Sequence, residues 1–179
     1  MEELLRNLIS EYILKLEKNR NSIKIKSLGK PIKFNTSKII ENEEKILLIE
    51  KKPFVIYIIR TNEKITYEIA LNGYKSIKSK GFGPFRVNDE KKDNHFDYWK
   101  TQFGEQCLYV GSSKDIRKRL KEHLGLIGKT TFSLHLSEWY KNKVITVELY
   151  EVSNEEEMHL YEDLLWDEYK PLLGKQGRR

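Results

Sequence analysis

The run Cys107-Leu-Tyr-Val-Gly-Ser-Ser-Lys-Asp-Ile-Arg-Lys-Arg-Leu-Lys-Glu-His123 constrains the fold more than any other stretch, because it demands a strand, a glycine turn and a basic helix in immediate succession. Cys107 to Val110 is an apolar and aromatic run suited to a buried strand, and Gly111 stops it where a side chain would obstruct the turn. Ser112 is read as the helix N-cap, with Asp115 in the position of a capping-box acid, so the helix should begin near Ser113. Ile116, Leu120 and Leu124 then form the buried stripe, and Arg119 and His123, four apart, emerge along one edge. Lys114, Lys118 and Lys121 point to the other side, where they could meet nucleic acid. A phenol, a guanidinium, an imidazole and helix N-terminal amides within reach of one anion suit phosphoryl chemistry, since Arg119 can grip a phosphate through two parallel hydrogen bonds. An ordinary solvated amphipathic helix would carry the same charges.

Tyr109-Val110-Gly111, with Arg119 ten residues after the tyrosine and His123 fourteen after it, resembles the GIY-YIG nuclease family. The resemblance implies that Tyr109, Arg119 and His123 line one active site, that the site hydrolyses DNA phosphodiester bonds, and that it needs one divalent metal, Mg²⁺ or Mn²⁺. RNA is left open as a substrate. Leu165-Trp166, Lys170-Pro-Leu-Leu-Gly-Lys-Gln-Gly177 and Thr130-Thr-Phe-Ser-Leu-His-Leu-Ser-Glu-Trp139 are similar to a little-characterised bacterial branch of that family, one ending in a Gly-Lys-Gln-Gly segment. The family signature continues with an acid on a later helix, a proline, and an asparagine twelve residues after the acid. Glu162 and Pro171 fit, but the twelfth position is Gly174. The asparagine's role, orienting the acidic helix or the scissile phosphate, must therefore fall elsewhere or be dispensable.

The helix that carries the acid is legible in its own right. Asn154 with Glu157 makes a helix start, and Pro171 restricts the residue before it, so the helix runs to about Tyr169. Met158, Tyr161, Leu165, Trp166 and Tyr169 share one arc, and Glu162 projects from its middle. A carboxylate there is costly without a partner, and a divalent cation, an arginine or a buried water would each offset that cost. The resemblance assigns Glu162 to the metal; a salt bridge to a core arginine is the plain alternative.

For the family's first tyrosine, Val55-Ile56-Tyr57 within Phe54-Val-Ile-Tyr-Ile-Ile59 stands where Gly-Ile-Tyr would be expected, with valine replacing glycine. Tyr57 is chosen over Tyr98, which lies eleven before Tyr109 but in a segment without alternation that suits a loop or short helix. The choice makes residues 61–105 an insertion between the motif strands. There Thr61-Asn62-Glu63 reads as a turn into a strand, Ile65 to Ala70. Arg86, with Lys75, Lys78, Lys80, Lys91 and Lys92, is interleaved with Tyr74, Phe82 and Phe85, offering cations for phosphates and rings for stacking, or a loop packed by its own aromatics.

The remaining chain supplies context. Leu4, Leu5, Leu8, Ile9, Tyr12 and Leu16 recur at helical spacing, so a helix over 1–17 would dock on the domain or on a second copy as a dimer face. Ile23 to Leu28 could be a basic edge strand, Ser37 to Lys45 a short polar helix and Ile46 to Glu50 a strand leading toward Tyr57. A net charge of +6 favours a polyanionic partner. One cysteine excludes an intrachain disulfide framework, and Cys107 reads as a small buried hydrophobe. The acidic, amphipathic first residues do not read as a signal peptide and no apolar run reaches membrane length, so a cytoplasmic protein is expected. His135 is read as a satisfied structural histidine and His159 as exposed.

Together these readings predict an α/β fold: a small central antiparallel β-sheet, Phe54–Ile59 beside Cys107–Val110 and Val144–Tyr150, flanked by helices near 113–124, 133–141 and 154–170. Residues 1–52 form an N-terminal helix-and-strand extension and 53–179 the nuclease domain. The expected chemistry is attack of water on a phosphodiester. Tyr57 or Tyr109 takes or relays the proton, Arg119 stabilises developing charge, His123 orients the water or a tyrosine, and a cation on Glu162 holds the leaving oxygen. A phenol of ordinary pKa near 10 is a poor base, so the cation and Arg119 are expected to lower it. The competing class is a nucleic-acid-binding protein that keeps the fold without cutting, to which Gly174 and Val55 point.

Overall fold

A run as rich in β-branched and aromatic residues as Val55-Ile-Tyr-Ile-Ile-Arg-Thr61 is stable as a strand when both of its faces are covered. The computed structural model describes residues 25–88 and 104–175. In it five strands form one antiparallel sheet: β1 (Lys26–Ser27), β2 (Ile32–Asn35), β3 (Val55–Thr61), β4 (Gln106–Ser113) and β5 (Val144–Glu151). β3 lies between β4 and β5 and is buried at every position. β1 and β2 pair one after the other with β5, so the chain before residue 52 extends the same sheet.

The helices are α1 (Ile39–Leu48), α2 (Tyr67–Ser79), α3 (Ile116–Leu124), α4 (Leu136–Trp139) and α5 (Glu155–Tyr169). Alternation along β3 divides the core. Val55, Tyr57 and Ile59 join the larger cluster with Ile46, Ala70, Ile77, Ile116 and Leu120 of α1, α2 and α3. Ile56 packs with Met158 and Tyr161 of α5, and Ile58 joins Cys107 and Val110 against Leu165, Trp166 and Tyr169. The register shifts between Ile59, which faces Tyr109, and Arg60, which faces Cys107. Leu108 is the extra residue, and this bulge lets both Leu108 and Tyr109 join the larger cluster while Cys107 and Val110 face α5. The Tyr109 ring lies on the same side of the sheet as Tyr57 by regular alternation, since Tyr109 faces Ile59 and Gly111 faces Tyr57 ahead of the bulge.

The free edge of β4 is not left open. Leu172 and Leu173 donate to the carbonyls of Cys107 and Leu108, and Leu173 in turn bridges Val87. The Asn88 side chain donates to the Pro171 carbonyl at 2.8 Å.

The α/β class and antiparallel sheet agree with the sequence reading, and four local expectations are corrected. The helix expected from Ser113 starts at Ile116, because β4 continues through Ser113; the cap is Asp115, whose carboxylate accepts from the Lys118 amide at 3.1 Å. Ile65 to Ala70 is no strand: Thr66 caps α2, and Ala70, Gly73 and Ile77 bury at helical spacing. Ile46 to Leu48 ends α1 instead of forming a strand, since Asn42 and Ile46, one turn apart, are the buried positions. The helix expected over 133–141 shrinks to Leu136–Trp139, because His135 adopts a left-handed φ of 45° ahead of it. Asn154 caps α5 as expected, accepting from the Glu157 amide at 2.8 Å. The helix expected over 1–17, and with it the dimer face, lies outside the described residues, as do Tyr98, Lys91 and Lys92.

Candidate active site

The site is built where the start of β3 meets the end of β4. Tyr57 pairs with Gly111, and a Cβ on Gly111 would stand 2.7 Å from the Tyr57 hydroxyl and run into the Tyr109 ring, so only glycine lets the two phenols share this space. Their rings stack with centroids 5.9 Å apart. α3 then delivers two further groups to the same phenol. His123 Nε2 lies 2.8 Å from the Tyr57 oxygen, and Arg119 Nε donates to it at 3.3 Å.

The tautomer of His123 follows from its other nitrogen. Nδ1 accepts the Leu134 backbone N–H at 3.2 Å, so a neutral ring carries its proton on Nε2 and donates it to Tyr57. The ring is neutral because burial, then the Arg119 and His135 charges, push its pKa well below the usual histidine value. The Tyr57 oxygen thus receives two donors. Burial nevertheless holds its pKa well above that of a free phenol, reinforced by Tyr109 and only partly opposed by Arg119. The expectation that Arg119 lowers this phenol is corrected: with 0% of Tyr57 exposed, desolvation outweighs the nearby charge.

Arg119 is held at every nitrogen. Besides Tyr57, its Nη1 donates to Glu122 Oε2 at 2.9 Å and its Nη2 to the Phe132 carbonyl at 3.1 Å. Of the five N–H groups of a guanidinium, two remain for a substrate. Glu122, a buried carboxylate, was not singled out from the sequence, although its spacing three residues after Arg119 is that of a helix-surface ion pair.

Glu162 reaches the sheet end from α5. Ser112 Oγ donates to its Oε2 at 2.5 Å, so the residue read as a helix cap in fact holds the acid. Burial raises the Glu162 pKa, with the Ser112 hydrogen bond opposing. Among the described residues no group of three or more His, Cys, Asp or Glu side chains gathers to cage a metal. A half-buried carboxylate with a neighbouring hydroxyl does suit a hard divalent cation that keeps water and phosphate oxygens as its other ligands.

The remaining candidates are more scattered. Lys114 pairs with Glu155 at 2.7 Å, Lys121 with Glu43 at 3.7 Å, and Lys118 is exposed. Such surface pairs are worth about 0–1 kcal/mol and yield readily to another anion. Arg86 lies on the wall of a cavity beside Tyr109. Phe85 is buried and packs on Tyr74 and Trp139, and Phe82 on His135, so Phe82 and Phe85 serve packing. His135 is structural as expected, its Nε2 lying 3.0 Å from the Thr131 carbonyl. His159 is exposed, and the Cys107 thiol is pushed up to about 12 by burial, as a small hydrophobe.

Gly174, where the asparagine was expected, has a φ of 100°, and a Cβ there would lie 2.6 Å from Tyr109 Cε2. An asparagine has no room while Tyr109 keeps this position. A family model described as the GIY-YIG catalytic domain matches residues 98–176, a span that includes Tyr109, Arg119, His123 and Glu162 but not Tyr57. No curated protein and no solved structure matches the chain.

Proposed function

Through residues 98–176 this chain belongs to the GIY-YIG nuclease family, and from that premise we propose that it is an endonuclease hydrolysing DNA phosphodiester bonds at one site that depends on Mg²⁺ or Mn²⁺. The observation that carries the reading is the meeting of Arg119 and His123 on the Tyr57 hydroxyl, beside Tyr109 and one sheet end from Glu162.

In this reading the two uncommitted N–H groups of Arg119 grip a non-bridging phosphate oxygen and strengthen as charge develops there. Tyr57 and Glu122 fix the guanidinium so that this grip needs no rearrangement. Tyr109, half-exposed at the cavity, faces the substrate and positions the attacking water, and His123 keeps Tyr57 in place. Glu162 would hold the divalent cation, which when bound neutralises phosphate charge as a Lewis acid. Lys114, Lys118, Lys121 and Arg86 provide outer contacts to the backbone. No described helix is long and apolar enough to cross a membrane, and the single cysteine suits a reducing cytoplasm.

Incubation of the purified chain with plasmid DNA and Mg²⁺ or Mn²⁺, beside Arg119→Ala, tests the reading: nicking or linearisation by the parent and none by the variant is expected. The second reading, a binding protein that does not cut, is favoured by Gly174; retention of DNA by a chain that leaves the plasmid intact would establish it.

A further inference from the structure

The site continues past Arg119 into a cavity of about 630 Å³. Tyr67, Tyr74 and Tyr109, each partly exposed, give it aromatic walls, while Arg86, Arg119 and Lys175 supply cations. Phe132 also lines it and is 75% exposed, a large ring left in water next to a charged site.

We propose that this cavity receives one unstacked nucleobase of the strand being cut, so that the preferred substrate carries an unpaired nucleotide next to the scissile phosphate; the proposal rests on the nuclease reading above. Size limits the occupant first. The volume falls within the roughly 300–1,000 Å³ of pockets that enclose a single small molecule, room for a nucleoside but not for a base pair with its two backbones. The chemistry of the lining agrees. Aromatic faces accept any base by stacking, and the surrounding cations match the phosphates on either side of it.

Two features tie the cavity to the reacting phosphate. Arg119, His123 and Tyr109 line both spaces. The Phe132 carbonyl holds Arg119 Nη2, so the backbone that carries the exposed ring is anchored to the guanidinium that grips the phosphate. The walls are also preorganised. Gly83 N–H donates to the Lys129 carbonyl at 3.0 Å, and Gly174 N–H donates to the Arg86 carbonyl at 2.9 Å. Residues 83–87 are thereby fastened both to the loop carrying Phe132 and to the segment after α5. A base already unpaired pays little to enter, whereas one in a duplex must first unstack.

The test is binding in EDTA to oligonucleotides carrying 2-aminopurine, read by fluorescence, with three forms: single-stranded, duplex with one unpaired 2-aminopurine, and fully paired duplex. Quenching in the first two, with affinity for the fully paired form about tenfold weaker, is expected. Phe132→Ala, at an exposed position, should lose about tenfold on the unpaired forms and nothing on the paired one. Leu71→Trp, filling the cavity, should abolish quenching in a chain whose thermal melt is unchanged. Equal affinity for all three forms, or parent-like binding by both variants, overturns the proposal, as does free dAMP binding as tightly as the oligonucleotides. If the parent cuts nothing yet quenching is present and lost in the variants, the nuclease reading fails and the cavity stands. Cutting that is indifferent to unpaired nucleotides and to Phe132→Ala sinks the cavity alone.

Discussion

Three of Arg119's N–H groups are already committed to Tyr57, Glu122 and Phe132. An ammonium on a flexible stem cannot satisfy that set and still present two hydrogens to a phosphate. Arg119→Lys is therefore expected to lower the single-turnover cleavage rate about 10²-fold or more, with DNA affinity changing only a few-fold; a rate near the parent's would reduce Arg119 to a charge at a distance. Glu162→Gln keeps the shape and the Ser112 contact but is a weak ligand for a hard cation. Isothermal titration with Mn²⁺ should show binding by the parent and little by the variant, and equal affinities would remove Glu162 from that role. Tyr57→Phe strips one oxygen and leaves the His123 Nε2–H buried without a partner. It should cost about 1–3 kcal/mol in urea unfolding and lower the cleavage rate, whereas Tyr98→Phe should leave both unchanged.

Among the elements, those announced by a strong pattern or a cap were legible: β3 by its apolar run, α5 by Asn154 and Glu157, and α3 by its apolar stripe. Misreadings fell where a local signal had two uses. Ser112 suits a helix cap as well as a bond to an acid fifty residues later, and only tertiary structure decides between them. Ile65 to Ala70 alternates like a strand, but the Thr66 cap and the burial of Ala70 against the sheet make it a helix. Neither the bulge at Leu108 nor the docking of residues 172–174 on β4 carries a local signature, since both depend on partners distant in sequence. That docking yields a prediction at Gly174. Restoring the family residue with Gly174→Asn should not improve the enzyme, because the new side chain meets Tyr109 at a φ of 100°. A loss of about 1–3 kcal/mol in thermal or urea stability is expected, together with slower cleavage.

The molecule as a whole inherits a pH dependence from its buried histidine. The His123 pKa is pushed well below the unfolded value near 6.5. Below that pH the unfolded chain takes up a proton that the folded chain refuses. Stability is thus fully present above about 6.5 and falls as pH drops toward the folded pKa, by up to about 1.4 kcal/mol per pH unit from this group. Urea melts at neutral and mildly acidic pH should show that fall, and His123→Gln should flatten it; an equal slope in the variant would assign the effect to other groups. The attachment of Leu172 and Leu173 to the edge of β4 has a further consequence, in time rather than in space. Tyr57 and Arg119 are translated well before Gly174, and at about 5–20 residues per second several seconds separate His123 from the residue that closes against Tyr109. During that interval the nascent chain holds its arginine and its phenols without the acid or the closing segment, so a nuclease of this design acquires its cutting site only with the last part of its domain.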